Sequence, residues 1–221
     1  YQPSRGLGDV YKRQQVLRYL IASTKPKKAI TFDAGMSLVE LADEFERLAS
    51  RDIDAEMQND DLSRRQKVAL EDAEGALRMS RIGDKTESIV SFRHLSMLAQ
   101  VKSDEEIITS YGSSLKDRLD RMKNWIQGPY FPEELRIKVL DAINPNADKD
   151  ITMRLHSYLS ECEWDAKSIG DSISLCFRES EISPRDGYEA LYNAILGVDK
   201  GPRLAPILSE LDRERVLTLL G

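Results

Sequence analysis

The stretch 37–50, SLVELADEFERLAS, decides the fold class. Ser37 stands three residues before Glu40, the spacing at which a serine side chain takes the N3 amide while the glutamate reaches back to the serine amide. Leu38, Leu41, Ala42, Phe45, Leu48 and Ala49 follow at steps of three and four, forming one apolar face, with Asp43, Glu44, Glu46 and Arg47 off it. This predicts an amphipathic helix with its own start signal. The device recurs where Ser63 precedes Gln66, where Ser103 precedes Glu106, and where Ser183-Pro184-Arg185-Asp186 adds a proline at the first helical position.

Upstream, QVLRYLIAS (15–23) carries Val16, Leu17, Leu20 and Ile21 at helical spacing, and Pro26 stops that run. AITF (29–32) reads as a short strand or extended link, and DAG (33–35) as a turn. Downstream, residues 51–65 lack an apolar period and mark a boundary. The pattern resumes with Val68, Ala69, Ala73, Ala76 and Leu77, and RIGDKTES (81–88) breaks it. Further sets follow in IVSFRHLSMLAQV (89–101), in DEEIITSY (104–111), and at Leu115, Leu119, Met122 and Ile126, closed by Gly128-Pro129. FPEELRIKVLDAI (131–143), with Pro132 at its start, predicts a helix to Ile143. Three more sets begin at Ile151, Ile169 and Tyr188, and after GVDKGPR (197–203) turns the chain two short helices close it. About ten helices with short loops and essentially no sheet make an all-α, irregular multi-helix bundle. The expected division is 15–60, 61–145 and 146–221. No internal repeat is present.

Composition narrows the function classes. The chain has 221 residues, 41% apolar and 32% charged, with a net charge of −6. An acidic chain gains no nucleic-acid affinity from its overall field, so any such contact must come from a local basic patch. The apolar runs fall far short of the ~20 residues that span a bilayer, and the N-terminus shows no apolar signal core. Cys162 and Cys176 lack CxxC spacing, and His94 and His156 stand alone, so neither pair suggests a metal or redox site. Two unpaired thiols fit a reducing, cytoplasmic setting. RGLGDVYKRQ (5–14) resembles the translated mosaic end of a sequencing adapter. Residues 1–14 are therefore read as an artefact, with the native chain expected to start near Gln15 and an upstream part missing.

Three features could be over-read. RMSRI (78–82) mimics an ATP-phosphate loop without a companion His-x-Gly-His segment. The acidic clusters at 43–46, 104–106 and 148–150 match metal sites only in composition, and are expected at helix starts or on solvent faces, where acids favour the helix dipole. No Ser-His-Asp or Cys-His arrangement is present. KPKK (25–28) packs three cations into four residues, enough for a phosphate contact or two. The residues alone describe a helical binding or scaffold module.

Two stretches go further. VLRYLIASTKPKKAITFDAGMSLVELADEFERL (16–48) resembles the segment after the nucleotide-binding signature loop of class I, archaeal-type lysyl-tRNA synthetases. The shared pattern is Val16–Leu20, the basic turn Lys25–Lys28, the link Ile30–Gly35 and the trio Asp43–Phe45. ISPRDGYEALYNAILGVDKGPRLAPILSELDRERVLTLL (182–220) is similar to the end of the same family, at Ala190–Tyr192, Gly197 and Lys200–Arg203. SFRHLSMLAQV (91–101) fits its middle.

The resemblance implies a stem-contact segment followed by an α-helix cage that holds the anticodon of tRNA(Lys). It implies ATP and Mg for the intact enzyme and no catalytic residue in this chain, whose other partner would be the missing catalytic domain. Membrane and DNA are not expected partners. Splayed anticodon bases are read by stacking and edge hydrogen bonds while cations hold phosphates. The RNA-contact residues expected on that basis are Lys25, Lys27 and Lys28 for the inner stem, Lys200 and Arg203 around a Gly-Pro turn, and Arg121, Lys123 and Trp125. Two alternatives stand beside this one: the anticodon-binding domain of a glutamyl-type synthetase, which KPKKAITFDAG disfavours, and a helical protein-interaction module without an RNA role.

Overall fold

The computed structural model describes residues 13–30, 32–80 and 90–221. Most of the adapter-like stretch, Thr31 and the RIGDKTES break lie outside the described residues. Within them the chain is all-α: twelve α-helices, two 3-10 helices and no strand. The α-helices are α1 (Arg13–Ser23), α2 (Met36–Ala49), α3 (Ile53–Met57), α4 (Arg64–Ser80), α5 (Phe92–Val101), α6 (Asp104–Tyr111), α7 (Lys116–Gln127), α8 (Lys149–Leu159), α9 (Ala166–Glu179), α10 (Pro184–Leu196), α11 (Leu204–Glu210) and α12 (Arg213–Leu220). Two compact units divide them. The first comprises residues up to 96 and 108–132; the second comprises 97–107 and 133–221.

In the first unit α1 packs along α4, and Arg18 donates from Nε and Nη2 to the Met79 carbonyl at 3.1 and 2.9 Å, closing the C-terminal end of α4. Such a guanidinium satisfies a carbonyl that the helix leaves without a partner. Tyr19 meets Phe45 edge-on at 5.7 Å, and its hydroxyl donates to Glu44 at 2.8 Å. Burial and that carboxylate push the Tyr19 phenol well above its usual range.

The core stripe of α2 is Val39, Ala42, Phe45 and Leu48: the last three are as expected, Val39 joins them, Leu38 and Leu41 are half-buried, and Ala49 is exposed. The Ser37–Glu40 capping box is not formed. The Asp33 carboxylate accepts from the Gly35 amide at 3.1 Å, and this turn starts the helix at Met36, leaving Ser37 inside the first turn.

The acidic cluster 43–46 stands inside α2 rather than at its start, and each member has a structural partner. Asp43 binds Arg93 at 2.7 Å and Glu44 binds Tyr19. The Glu46 carboxylate accepts from the Phe92 amide at 2.9 and 3.0 Å, capping α5, with Arg118 at 3.8 Å.

The second unit is built on α8, α9, α10 and α12, with α11 laid on α9. Leu155, Leu159, Ile169, Ile173, Leu191 and Ile195 are fully buried. Gly197 ends α10 in the left-handed region at φ 68°, and a Cβ there would stand 3.3 Å from Leu140, so the position suits glycine on both counts. The boxes at Ser63, Ser103 and Ser183 are formed. Aspartates cap α3, α8, α9 and α12, through Asp52, Asp148, Asp165 and Asp212.

The helix expected over 132–143 is absent. A 3-10 turn at Glu133–Leu135 passes into extended chain. Leu135 and Ile137 are buried and Val139 half-buried, a period of two that no α-helix presents. The backbone finds partners outside itself. Gln100 donates to the Leu135 carbonyl at 3.1 Å and accepts from the Ile137 amide at 2.8 Å, and the Leu140 amide donates to the Ile195 carbonyl at 2.9 Å.

Candidate nucleic-acid interface

KPKK folds as a single tight turn. The Lys28 amide donates to the Lys25 carbonyl at 2.9 Å, and Pro26 supplies the fixed φ that a second turn position favours. Lys25, Lys27 and Lys28 are all exposed. Three cations on one turn cost self-repulsion that an anionic backbone relieves. The chain after the turn is fastened to α7: Trp125 Nε1 donates to the Ala34 carbonyl at 2.9 Å.

That bond corrects one expectation. Trp125 is 3% exposed, tilted against Phe92 at 5.3 Å and edge-on to Phe131 at 4.9 Å. No face of the indole is open to a base. Its part is to hold the 33–35 link that follows the lysine turn. On the same helix Arg121 is exposed, 3.9 Å from Asp117 one turn earlier, and Lys123 is half-buried.

In the second unit Lys200 and Arg203, both exposed, bracket the Gly201-Pro202 turn. Tyr192 governs this turn. Its one hydroxyl proton is shared between the Pro202 carbonyl at 2.6 Å and the Gly201 carbonyl at 3.0 Å, and its ring leaves only 3.2 Å for a Cβ at position 201. A side chain there would require the Tyr192 ring to shift by a few tenths of an ångström, so glycine suits the position. Burial, and next the neighbouring Tyr188, raise the Tyr192 phenol, keeping it a neutral donor. Asn193 donates to Asp199 at 3.1 Å, which fixes the residue before Lys200.

Arg78, Met79 and Ser80 of RMSRI end α4; Arg81 and Ile82 lie outside the described residues. Ser80 is fully buried and donates to the Leu77 carbonyl at 2.6 Å. Among the described residues, no three His, Cys, Asp or Glu side chains are gathered to hold a metal ion, and no helix is long and apolar enough to cross a membrane.

Comparison with known proteins supplies what the geometry leaves open. No protein-family model matches the chain. The lysine–tRNA ligase of Thermoplasma volcanium is 27% identical over 227 aligned residues, covering 94% of this chain and 42% of that protein. Over nearly its whole length this chain is similar to archaeal lysine–tRNA ligases. The lysine–tRNA ligase of Thermococcus kodakarensis is 26% identical, covering 97% of this chain and 44% of that protein, and that of Pyrococcus furiosus 27%, with the same coverage. The chain thus spans about two-fifths of the length of these ligases. The aligned span takes in nearly the whole chain, the positions of both basic turns included.

Four residues with interface character escaped the sequence reading: Phe32, Tyr130, Tyr188 and Trp164. Phe32 is 41%, Tyr130 54% and Tyr188 37% exposed. Trp164 is half-buried, with the Arg213 guanidinium 5.7 Å from its ring centre. No local pattern separates an exposed aromatic residue from a core one.

Proposed function

We propose that this chain is the anticodon-side, tRNA-binding part of a class I lysyl-tRNA synthetase, the enzyme that ligates lysine to tRNA(Lys) with ATP. The observation that carries this reading is the likeness of almost the entire chain to lysine–tRNA ligases, joined to an all-α fold. The name of those relatives supports lysine over glutamate. In this reading the chain performs no chemical step. ATP and magnesium are handled by the catalytic domain. The chain works in the cytoplasm, gripping tRNA(Lys) so that its acceptor end reaches the active site. Lys25, Lys27 and Lys28 hold inner-stem phosphates, Lys200 and Arg203 hold phosphates near the anticodon, and Arg121 and Lys123 extend the first set.

Gel shifts of the full chain with tRNA(Lys) and tRNA(Glu) transcripts, repeated across salt, test this. Tighter binding of tRNA(Lys) is expected, with affinity falling by about 0.7–0.9 in log K per phosphate contact for each tenfold rise in salt. Lys200→Ala and Arg203→Ala should each weaken binding. Absence of salt-sensitive tRNA binding would refute the proposal and leave a protein-interaction module; preference for tRNA(Glu) would favour the glutamyl alternative.

A further inference from the structure

We infer that Tyr188 is a stacking platform for one unpaired RNA base, working with the Lys200–Arg203 turn beside it. This rests on the tRNA-binding reading above and adds a residue, a contact type and a ligand class to it.

Tyr188 and Tyr192 are one helical turn apart on α10, so their side chains are neighbours on one face. Tyr192 reaches the turn itself, through its hydroxyl bonds to the Gly201 and Pro202 carbonyls. Tyr188 therefore stands one turn from a residue that touches the Lys200–Arg203 loop. The Tyr188 ring is held in place: Phe177 packs perpendicular to it at 5.2 Å. Phe177 in turn occupies the space that any side chain at Gly187 would need, since a Cβ there would come within 2.3 Å of the ring. Yet Tyr188 is 37% exposed. A packed, half-exposed aromatic ring, one helical turn from the tyrosine that holds a turn bearing two exposed cations, suits single-stranded RNA, the ring for a base and the cations for the phosphates flanking it. A duplex, whose bases are stacked on one another, offers such a ring nothing. The ligand class is therefore a loop or end with a splayed base.

The test uses the full chain and two fluorescein-labelled probes, the tRNA(Lys) anticodon stem-loop and the same stem-loop with abasic loop nucleotides, read by anisotropy. Tyr188→Leu keeps an apolar contact for Phe177 without a π face, and Tyr188→Ala removes both. Each should weaken the intact stem-loop by about 5- to 150-fold, the cost of losing one base–aromatic stack. Tyr188→Phe should stay within about threefold of the parent, because stacking does not use the hydroxyl. The abasic probe should bind the Leu variant and the parent equally, which a purely structural role for Tyr188 would not produce. The salt slope should be unchanged by Tyr188→Leu and reduced by about one for Arg203→Ala. Retention of parent affinity by both the Leu and Ala variants would overturn the platform while leaving the tRNA-binding reading intact. Equal losses on both probes would overturn it as well. Failure of the parent chain to bind either probe would remove both together.

Discussion

Replacing Trp125 by Phe separates a core role from a surface one. The indole nitrogen donates to Ala34, whose residue is only 7% exposed, so the carbonyl has little access to water once the donor is gone. An unmade buried hydrogen bond costs about 1–3 kcal/mol. The phenyl ring keeps part of the contact with Phe92 and Phe131 but leaves a void where the rest of the indole stood, adding about 1 kcal/mol. Together these predict a loss of about 2–4 kcal/mol, or about 4–16 °C in Tm for a chain of this size. Urea and thermal unfolding followed by far-UV circular dichroism measure it. The only other tryptophan, Trp164, bonds the Leu211 carbonyl at 2.9 Å in the second unit, so in Trp125→Phe its fluorescence reports that unit alone. The second unit's transition should therefore move less than the dichroism transition. A stability change below about 0.5 kcal/mol, joined to loss of tRNA affinity, would refute the core assignment and restore Trp125 as a binding surface.

Other consequences can be measured directly. Gly187→Ala forces a methyl group into the Phe177 ring and should destabilise the chain by about 1–3 kcal/mol in calorimetry. Gln100→Leu removes both bonds to the extended segment, and hydrogen exchange at the Ile137 amide should accelerate while that of α9 changes little. Glu106 is held below the ordinary carboxylate range, chiefly by the Ser103 hydroxyl and then by the Ser103 amide. Such a group adds stability above its unfolded pKa, about 4.3, and loses that contribution as pH falls through the lower folded value. Ser103→Ala should therefore raise the carboxyl titration midpoint of Glu106 by NMR and flatten the acid side of the stability profile.

Helix existence was legible because caps and apolar period are local signals. The spacing at Ser63, Ser103 and Ser183 gives boxes that form, while the same spacing at Ser37 gives none, because the Asp33 turn starts α2 at Met36. The aspartate caps at Asp52, Asp148, Asp165 and Asp212 were equally local, but a search for serine paired with an acid three residues on passes over them, since an aspartate needs no return partner. The segment 132–143 failed for another reason. Pro132 and two glutamates imitate a helix start, while Leu135, Ile137 and Val139 carry the competing period of two. What settles the conflict is Gln100, which supplies the hydrogen bonds that the extended chain cannot make for itself. That partner is 35 residues away, and no window of sequence contains it.

The candidate interface divides along the same line, by residue type. Lysine and arginine are exposed almost wherever they fall, so the sequence finds both basic turns, and the structure finds the cations of each turn on the surface. Aromatic residues carry no such rule. Trp125 lies in a helix with Leu119 and Met122 on its apolar face, and the structure buries it. Tyr188 lies with Leu191, Tyr192 and Ile195 on what the 3–4 spacing makes an equally apolar face, yet it remains open. The difference is the place on the stripe. Trp125 sits in the last turn of α7, where the 33–35 link and Phe131 close over it. The buried stripe of α10 runs through Gly187, Ala190, Leu191, Ala194 and Ile195, and Tyr188 lies at its edge, with Phe177 against it on one side. A 3–4 spacing assigns such a residue to the apolar face, while the core covers the centre of that face first. An aromatic ring at the edge is left part in water. Tyr188 meets that description, and Tyr192, one turn further along α10, touches the turn between Lys200 and Arg203.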